Sequence, residues 1–165
     1  MEFEEYVAAR GRALERYAFV LTGDRQRSQD LVQIALVKAY RRWRRVAGTE
    51  HPDAYVRRIL TTSFLDWRRR RANSEEPVDI VPESVAAVGD PADQVVLRDE
   101  MLRALAGLTP HQRAVLVLRH YEGYDDAAIG VVLGCSEVTV RSHATRGTQR
   151  LRAILGPTSL PEGPR

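Results

Sequence analysis

The chain has one cysteine, Cys135, which excludes an internal disulfide and any multi-cysteine metal cluster. Lysine is almost as scarce. Lys38 stands alone beside 24 arginines, a bias that a GC-rich coding sequence produces as readily as chemistry does, so arginine number by itself carries no functional signal. Long apolar runs are missing: uninterrupted ones, such as Ala114 to Leu118, reach five residues, far short of the ~18 that a membrane span needs. The first residues (Met1, Glu2, Phe3, Glu4, Glu5) are acidic where a secretory signal is basic and then apolar, so a cytoplasmic location is expected. The four histidines, His51, His111, His120 and His143, show no pairing at i+3 or i+4. With Cys135 at a turn, no metal site, cofactor or catalytic residue is expected, and a hydrolytic enzyme is a poor reading.

What is present is an uneven charge. The net +3 over 165 residues separates into +7 for residues 1–72, −7 for 73–100 and +3 for 101–165. A basic block, an acidic connector and a mildly basic block point to two small modules. Blocks of roughly 70 residues sit near the lower limit for a self-sufficient core, which favours compact helical units.

Glycine and proline are sparse before residue 73; after Gly11 only Gly23, Gly48 and Pro52 interrupt the chain. They delimit three helical stretches, about 3–21, 27–45 and 53–71. Leu14, Tyr17, Ala18 and Leu21 form the apolar stripe of the first. Val32, Ala35, Leu36, Ala39, Tyr40 and Trp43 form that of the second, and Val56, Ile59, Leu60, Ser63 and Trp67 that of the third. Residues 73–93, with Pro77, Pro82, Gly89 and Pro91, read as an acidic flexible linker. The second block, 94–156, contains a capping box with proline at the first helical position (Thr109-Pro110-His111-Gln112) and a helix through Ala114–His120. A short helix 125–133, a turn at Gly134-Cys135-Ser136 and a helix 137–155 follow, the layout of a helix-turn-helix. Residues 157–165 read as a disordered tail. The expected fold class is all-α, with two small helical domains.

Three polar faces call for a partner. On the last helix, Val140, Ala144, Gly147, Leu151 and Leu155 point one way. Val138, Thr139, Arg141, Ser142, Thr145, Arg146 and Gln149 point the other, with no carboxylate beyond Glu137. Such a face suits a major groove, arginine reading guanine or phosphate and Val138 a thymine methyl; the alternative is an ordinary solvated face. On the third helix, Arg57, Arg58, Thr61, Arg68 and Arg69 lie opposite the apolar stripe, continued by Arg70 and Arg71. Phosphate binding and a solvated arginine-rich helix end are both compatible with that pattern. On the second helix, Ile34 and Val37 point away from the stripe among Asp30, Gln33 and Arg41, a candidate protein-docking patch.

These residues carry a resemblance. Asp30-Leu31-Val32-Gln33, Ala39-Tyr40-Arg41-Arg42-Trp43, Ala54-Tyr55-Val56-Arg57-Arg58-Ile59 and Asp66 with Arg68-Arg69-Arg70 resemble region 2 of bacterial RNA polymerase sigma factors. Leu108-Thr109, Gln112-Arg113, Leu116, Leu133-Gly134-Cys135-Ser136, Thr139-Val140-Arg141-Ser142 and Arg146 resemble region 4. With two regions and a short connector, the chain resembles the extracytoplasmic-function (ECF) sigma factors, of the small two-region subgroup common in actinobacteria. The resemblance implies that Asp30, Gln33, Ile34, Val37 and Arg41 dock on the clamp helices of the large subunit of core RNA polymerase. It implies minus-10 DNA contacts through Arg57, Arg58, Thr61, Thr62, Arg68 and Arg69, with His51 and Asp53 in the loop where a flipped base is received, and minus-35 contacts through Thr139, Arg141, Ser142, His143 and Arg146. It further implies region 4 on the polymerase flap, promoter DNA as ligand and an anti-sigma factor as partner. Ile34, Thr62 and Val138 stand where many members have Glu, Asn and Gly. A response-regulator type of helix-turn-helix regulator, acting without polymerase, is the rival reading; it expects an α/β receiver upstream, which the helical residues 1–72 do not supply.

Overall fold

Several helices begin or end where a side chain or a glycine satisfies backbone groups that a helix leaves open. The computed structural model describes residues 1–74 and 92–156, with side chains from residue 98 in the second stretch, and among them all regular structure is helical. Helix α1, Phe3–Thr22, ends at Gly23, whose φ of 69° lets its N–H return to the Phe19 carbonyl at 2.7 Å. Helix α2, Arg25–Tyr40, is capped by the Asp24 carboxylate, which accepts from the Arg27 N–H at 3.0 Å. The expected stripe of α1, Leu14, Tyr17, Ala18 and Leu21, is buried.

The helix expected over 27–45 is broken. The chain turns at Arg41 and Arg42 and resumes as α3, Trp43–Ala47. The turn folds Trp43 against Phe3 and Tyr6 and lets its indole N–H donate to the Met1 carbonyl at 3.0 Å. A buried indole needs such an acceptor. Tyr40, expected in the core stripe, instead lies at the surface beside the edge of the Phe3 ring. Helix α4, Pro52–Ala72, buries Val56, Leu60 and Ser63 as expected, together with Phe64.

In the second half, α5 covers Ala92–Ala106 and α6 covers Pro110–Leu116. The capping box at the start of α6 is formed in both directions: Gln112 N–H donates to the Thr109 hydroxyl at 3.3 Å and Thr109 N–H to the Gln112 side chain at 3.2 Å. The expected continuation to His120 widens into a π-helical turn, Val117–Tyr121, closed by the Glu122 N–H on the Val117 carbonyl at 3.1 Å. Helices α7, Asp126–Leu133, and α8, Glu137–Leu155, complete the helix-turn-helix. The expected linker over 73–93 falls mainly on residues 75–91, and the expected tail is 157–165; both lie outside the described residues.

Helix α4 sets the arrangement of the whole. It packs on α2 and α1 on one side and on α7 and α6 on the other. One apolar cluster therefore runs from Leu14, Leu60 and Phe64 into Val115, Leu118 and Ile129. The two expected helical halves are present, but they lie against each other.

Candidate polymerase and promoter interfaces

The outward face of α2 follows from its inward one. Because Ser28, Leu31, Val32, Ala35 and Ala39 are buried, Asp30, Gln33, Ile34, Val37 and Arg41 are carried to solvent at successive turns. Ile34 is 44% and Val37 52% exposed, side by side within a polar rim. A cleft of about 110 Å³ opens beside this face, between α2 and α4, lined by Asp30, Ile34, Lys38, Ser63 and Trp67 among others. Its Trp67 ring is flanked by the guanidinium groups of Arg27 at 5.0 Å and Arg71 at 5.8 Å.

Helix α4 divides the residues that the sequence placed on one outward face. Arg58 and Arg69 are exposed and Thr62 is half-buried, its hydroxyl donating to the carbonyls of Arg58 and Ile59. These three follow one line along the helix at i, i+4 and i+11. Arg57 and Thr61 are not on that surface: Arg57 is 3% exposed and Thr61 fully buried, and Arg68 is half-buried. The reason is packing on a second side of α4. The Thr61 hydroxyl lies 2.6 Å from that of Tyr17 and bonds the Arg57 carbonyl at 2.7 Å. The Arg57 guanidinium lies 5.8 Å from the centre of the Tyr17 ring and binds Asp53 and Glu122, the latter through Nε at 2.6 Å. Burial drives the Tyr17 phenol well above its usual range and the Tyr6 phenol up to about 12, so both stay protonated donors.

At the start of α4, His51 is exposed and precedes Pro52 at the first helical position. Asp53 is half-buried and already engaged. It accepts from the Tyr6 hydroxyl at 2.9 Å and from Arg10 at 2.8 and 3.2 Å, besides Arg57.

The helix-turn-helix is fixed by two caps and a glycine. Asp125 caps α7 through the Ala128 N–H at 2.8 Å, and Ser136 caps α8 through the Thr139 N–H at 3.2 Å. A Cβ on Gly147 would meet Leu116 at 3.1 Å and Gln112 at 3.2 Å, so its absence sets how closely α8 lies on α6. Val140, Ala144, Gly147 and Leu151 are buried, as the stripe requires. Thr139, Arg141, Ser142, Arg146 and Val138 are exposed on the other side, 67% in the case of Val138. Among the described residues Arg141 pairs with Glu137, at 3.8 Å. His143 differs from its neighbours: its ring stacks on that of His111 at 5.4 Å, and burial, then His111 and Arg146, hold its pKa below the usual imidazole value. At neutral pH it is a neutral ring rather than a phosphate-binding cation.

Neither Glu122 nor Arg113 has a structural role in the sequence reading, although Arg113 is among the residues that resemble region 4. Arg113 is buried, and it donates from Nε and Nη2 to the Val20 carbonyl at 3.1 and 2.8 Å. The available sign was its position at the head of the apolar run 114–118, on the buried side of α6.

The geometry can be set beside known proteins. The model described as Sigma-70 region 2 matches residues 6–74 and that described as Sigma-70, region 4 matches residues 98–151. The RNA polymerase sigma-E factor of Streptomyces avermitilis is 40% identical over 155 residues, spanning 94% of this chain and 86% of that protein. The chain belongs to the sigma-70 family. A further relative, the ECF RNA polymerase sigma factor SigM of Mycobacterium tuberculosis, is 32% identical over 159 residues, 93% of this chain and 77% of that protein, which places this sigma factor in the ECF group. Among solved structures, the sigma factor RpoE of Bartonella quintana, crystallised with the anti-sigma factor NepR, matches with a TM-score of 0.75 at 25% identity, covering 94% of this chain and 98% of that one. As an ECF sigma factor the chain binds core RNA polymerase and directs promoter-specific initiation of transcription. Helices α1 to α4 lie in its region 2 and α6 to α8 in its region 4. No described helix is long and apolar enough to cross a membrane, and the described residues hold no group of three or more metal-ligating side chains.

Proposed function

We propose that this sigma factor divides its task among three surfaces. Asp30, Gln33, Ile34, Val37 and Arg41 dock on the clamp helices of the large polymerase subunit. His51, Arg58, Thr62, Arg68 and Arg69 serve minus-10 DNA, Asp53, Arg57 and Thr61 bracing their helix from its buried side, and Thr139, Arg141, Ser142, His143 and Arg146 serve minus-35 DNA. Residues 1–72 and 94–156 act as the two functional domains, with 73–93 as the connector and 157–165 as a tail; region 4 also meets the polymerase flap. The observation that carries this division is the pair of exposed apolar side chains on α2, Ile34 and Val37, set apart from the carboxylate-poor face of α8. An exposed apolar pair within a polar rim suits a protein partner, and a short-donor and arginine face suits a major groove.

In this reading the chain performs no chemistry of its own and acts in the cytoplasm, where polymerase is. Strand opening needs stacking and a cationic groove, with no catalytic group or cofactor. An anti-sigma factor is its regulatory partner, as NepR is for the B. quintana protein. In vitro transcription with core polymerase, the purified chain and a promoter library tests the whole reading. Initiation from a defined subset of promoters is expected, with Val37→Asp losing it through weakened core association. Failure of the wild-type chain on every template would overturn the reading.

A further inference from the structure

A serine or threonine inside a helix commonly turns its hydroxyl back to a carbonyl three or four residues earlier. Ser28 does so to Arg25, and Thr61 and Thr62 do so to Arg57 and Arg58. Ser63 does not. It is 7% exposed, and its hydroxyl is the one buried side-chain polar atom without a hydrogen-bond partner among the described residues. The carbonyl one turn back, that of Ile59, already accepts the Thr62 hydroxyl at 3.0 Å. An unpaired buried hydroxyl is costly to a fold, so its position calls for a partner from outside the chain.

Ser63 lines the cleft of about 110 Å³ between α2 and α4. That room suits one side chain, or about three to four waters at roughly 30 Å³ each. Leu31, Ile34 and the Trp67 ring give the cleft apolar walls. Ile34 is also half of the exposed apolar pair on α2, so the cleft is continuous with the face read as the polymerase-docking surface. Its mouth is cationic: Arg27, Lys38 and Arg70 stand there against Asp30 and Asp66, and Arg71 reaches the Trp67 ring. Both carboxylates are already engaged, Asp66 by Arg69 at 3.0 Å and Asp30 by the Gln26 side chain at 3.1 Å. An occupant with methylenes for the walls and a carboxylate for the hydroxyl and the cations satisfies every surface of the cleft. A purely apolar one leaves Ser63 unpaired, and a cationic one meets like charge at the mouth.

We propose that the cleft is a socket for one acidic side chain of a polymerase clamp helix, Ser63 donating to its carboxylate at the base and Trp67 packing on its methylenes. The proposal rests on the reading of α2 as the docking face and extends that face to two residues of α4, a helix otherwise assigned to promoter DNA. A side chain seated in a desolvated pocket is the kind of anchor that carries a large share of an interface's affinity.

The experiment measures association of the full chain with immobilised core RNA polymerase by biolayer interferometry, beside thermal melts of the free chain. Ser63→Ala is expected to weaken core association about tenfold, as the loss of a hydrogen bond to a charged group does. Its melting temperature should equal or exceed that of the wild type, because the substitution removes an unpaired hydroxyl. Ser63→Val, which fills the base of the cleft, is expected to weaken association further, and Lys38→Glu, at the exposed mouth, several-fold. Wild-type core affinity for Ser63→Ala would mean that water alone fills the cleft and would overturn the proposal. Wild-type affinity for Lys38→Glu would exclude an acidic occupant and overturn it equally. So would a melting temperature of Ser63→Ala that falls together with its affinity, or a loss seen only in promoter affinity at saturating core polymerase, which would assign the cleft to DNA. Should Ser63→Val not fold, Ser63→Ala and Lys38→Glu decide. Val37→Asp runs alongside: if it weakens core association and the cleft variants do not, the socket fails alone, and if none of them does, the docking reading fails with it.

Discussion

A Cβ built on Gly130 would lie 2.7 Å from the carbonyl oxygen of Cys135, and one built on Gly107 would lie 2.7 Å from Cδ1 of Ile154. The distances are equal, but the obstacles are not. The first is backbone in the turn between α7 and α8, which cannot yield without moving the helix-turn-helix. The second is the end of an exposed, flexible side chain. Gly130→Ala is therefore expected to cost roughly 1–3 kcal/mol, as overpacking does. Gly107→Ala should stay within about 0.5 kcal/mol, the range of surface changes. Paired thermal melts check this, and equal shifts would contradict it. His143 makes a second residue-scale prediction. Its pKa is lowered in the fold, so between that lowered value and the usual ~6.5 the unfolded chain binds the extra proton. The stability tied to the neutral ring is complete above ~6.5 and is lost as pH falls through the window. Denaturant midpoints for His143→Gln are expected to fall less than those of the wild type between pH 7.5 and 5. Parallel curves would show that the stacked ring with His111 carries no such linkage.

Among the elements, α8 was the most legible and α2 the least. The buried stripe of α8, its exposed polar side and the glycine turn before it all follow from one 3.6-residue period plus a capping serine. The same period run through α2 predicted a helix to residue 45 and an inward Tyr40. It could not anticipate the turn at Arg41 and Arg42, because the acceptor that draws Trp43 inward is the carbonyl of Met1, 42 residues away. The outward patch of α2 was nonetheless correctly placed, since Asp30 to Val37 precede the break. On α4 the period correctly separated Val56 and Leu60 from Arg58 and Arg69. It misplaced Arg57 and Thr61, which are buried through polar contacts with the Tyr17 hydroxyl of α1 and the Glu122 carboxylate beyond the bundle, partners that an apolar period does not register. The cap of α8 gives a test at this scale. Ser136→Ala removes the acceptor of the Thr139 N–H and is expected to destabilise the protein by about 1 kcal/mol. Hydrogen exchange should quicken at the first turn of α8 more than at its last. Uniform change along α8 would assign the effect elsewhere.

For the whole molecule, the question is how a chain with a net charge of only +3 binds a polyanion selectively. Position decides it: Arg141 and Arg146 lie exposed on α8 opposite its buried stripe, whereas Arg57 and Arg113 are buried where the two halves meet. The pair of Arg141 with Glu137 spans 3.8 Å between side chains that are both more than half exposed, so it holds Arg141 only weakly. If α8 meets the minus-35 duplex, each arginine that neutralises a phosphate releases counterions and contributes about one unit to the slope of log affinity against log salt. For promoter complexes assembled with saturating core polymerase, Arg141→Ala and Arg146→Ala are each expected to reduce that slope by about one over 50–200 mM salt. Val37→Asp acts at a different step: it should demand more sigma factor to saturate core polymerase and leave the promoter slope unchanged. A base-reading arginine would behave differently again, relaxing selectivity at one position by about 1–3 kcal/mol. The three signatures are separable in one titration series. If neither arginine variant changed slope or selectivity, the exposed side of α8 would not be the duplex-reading surface.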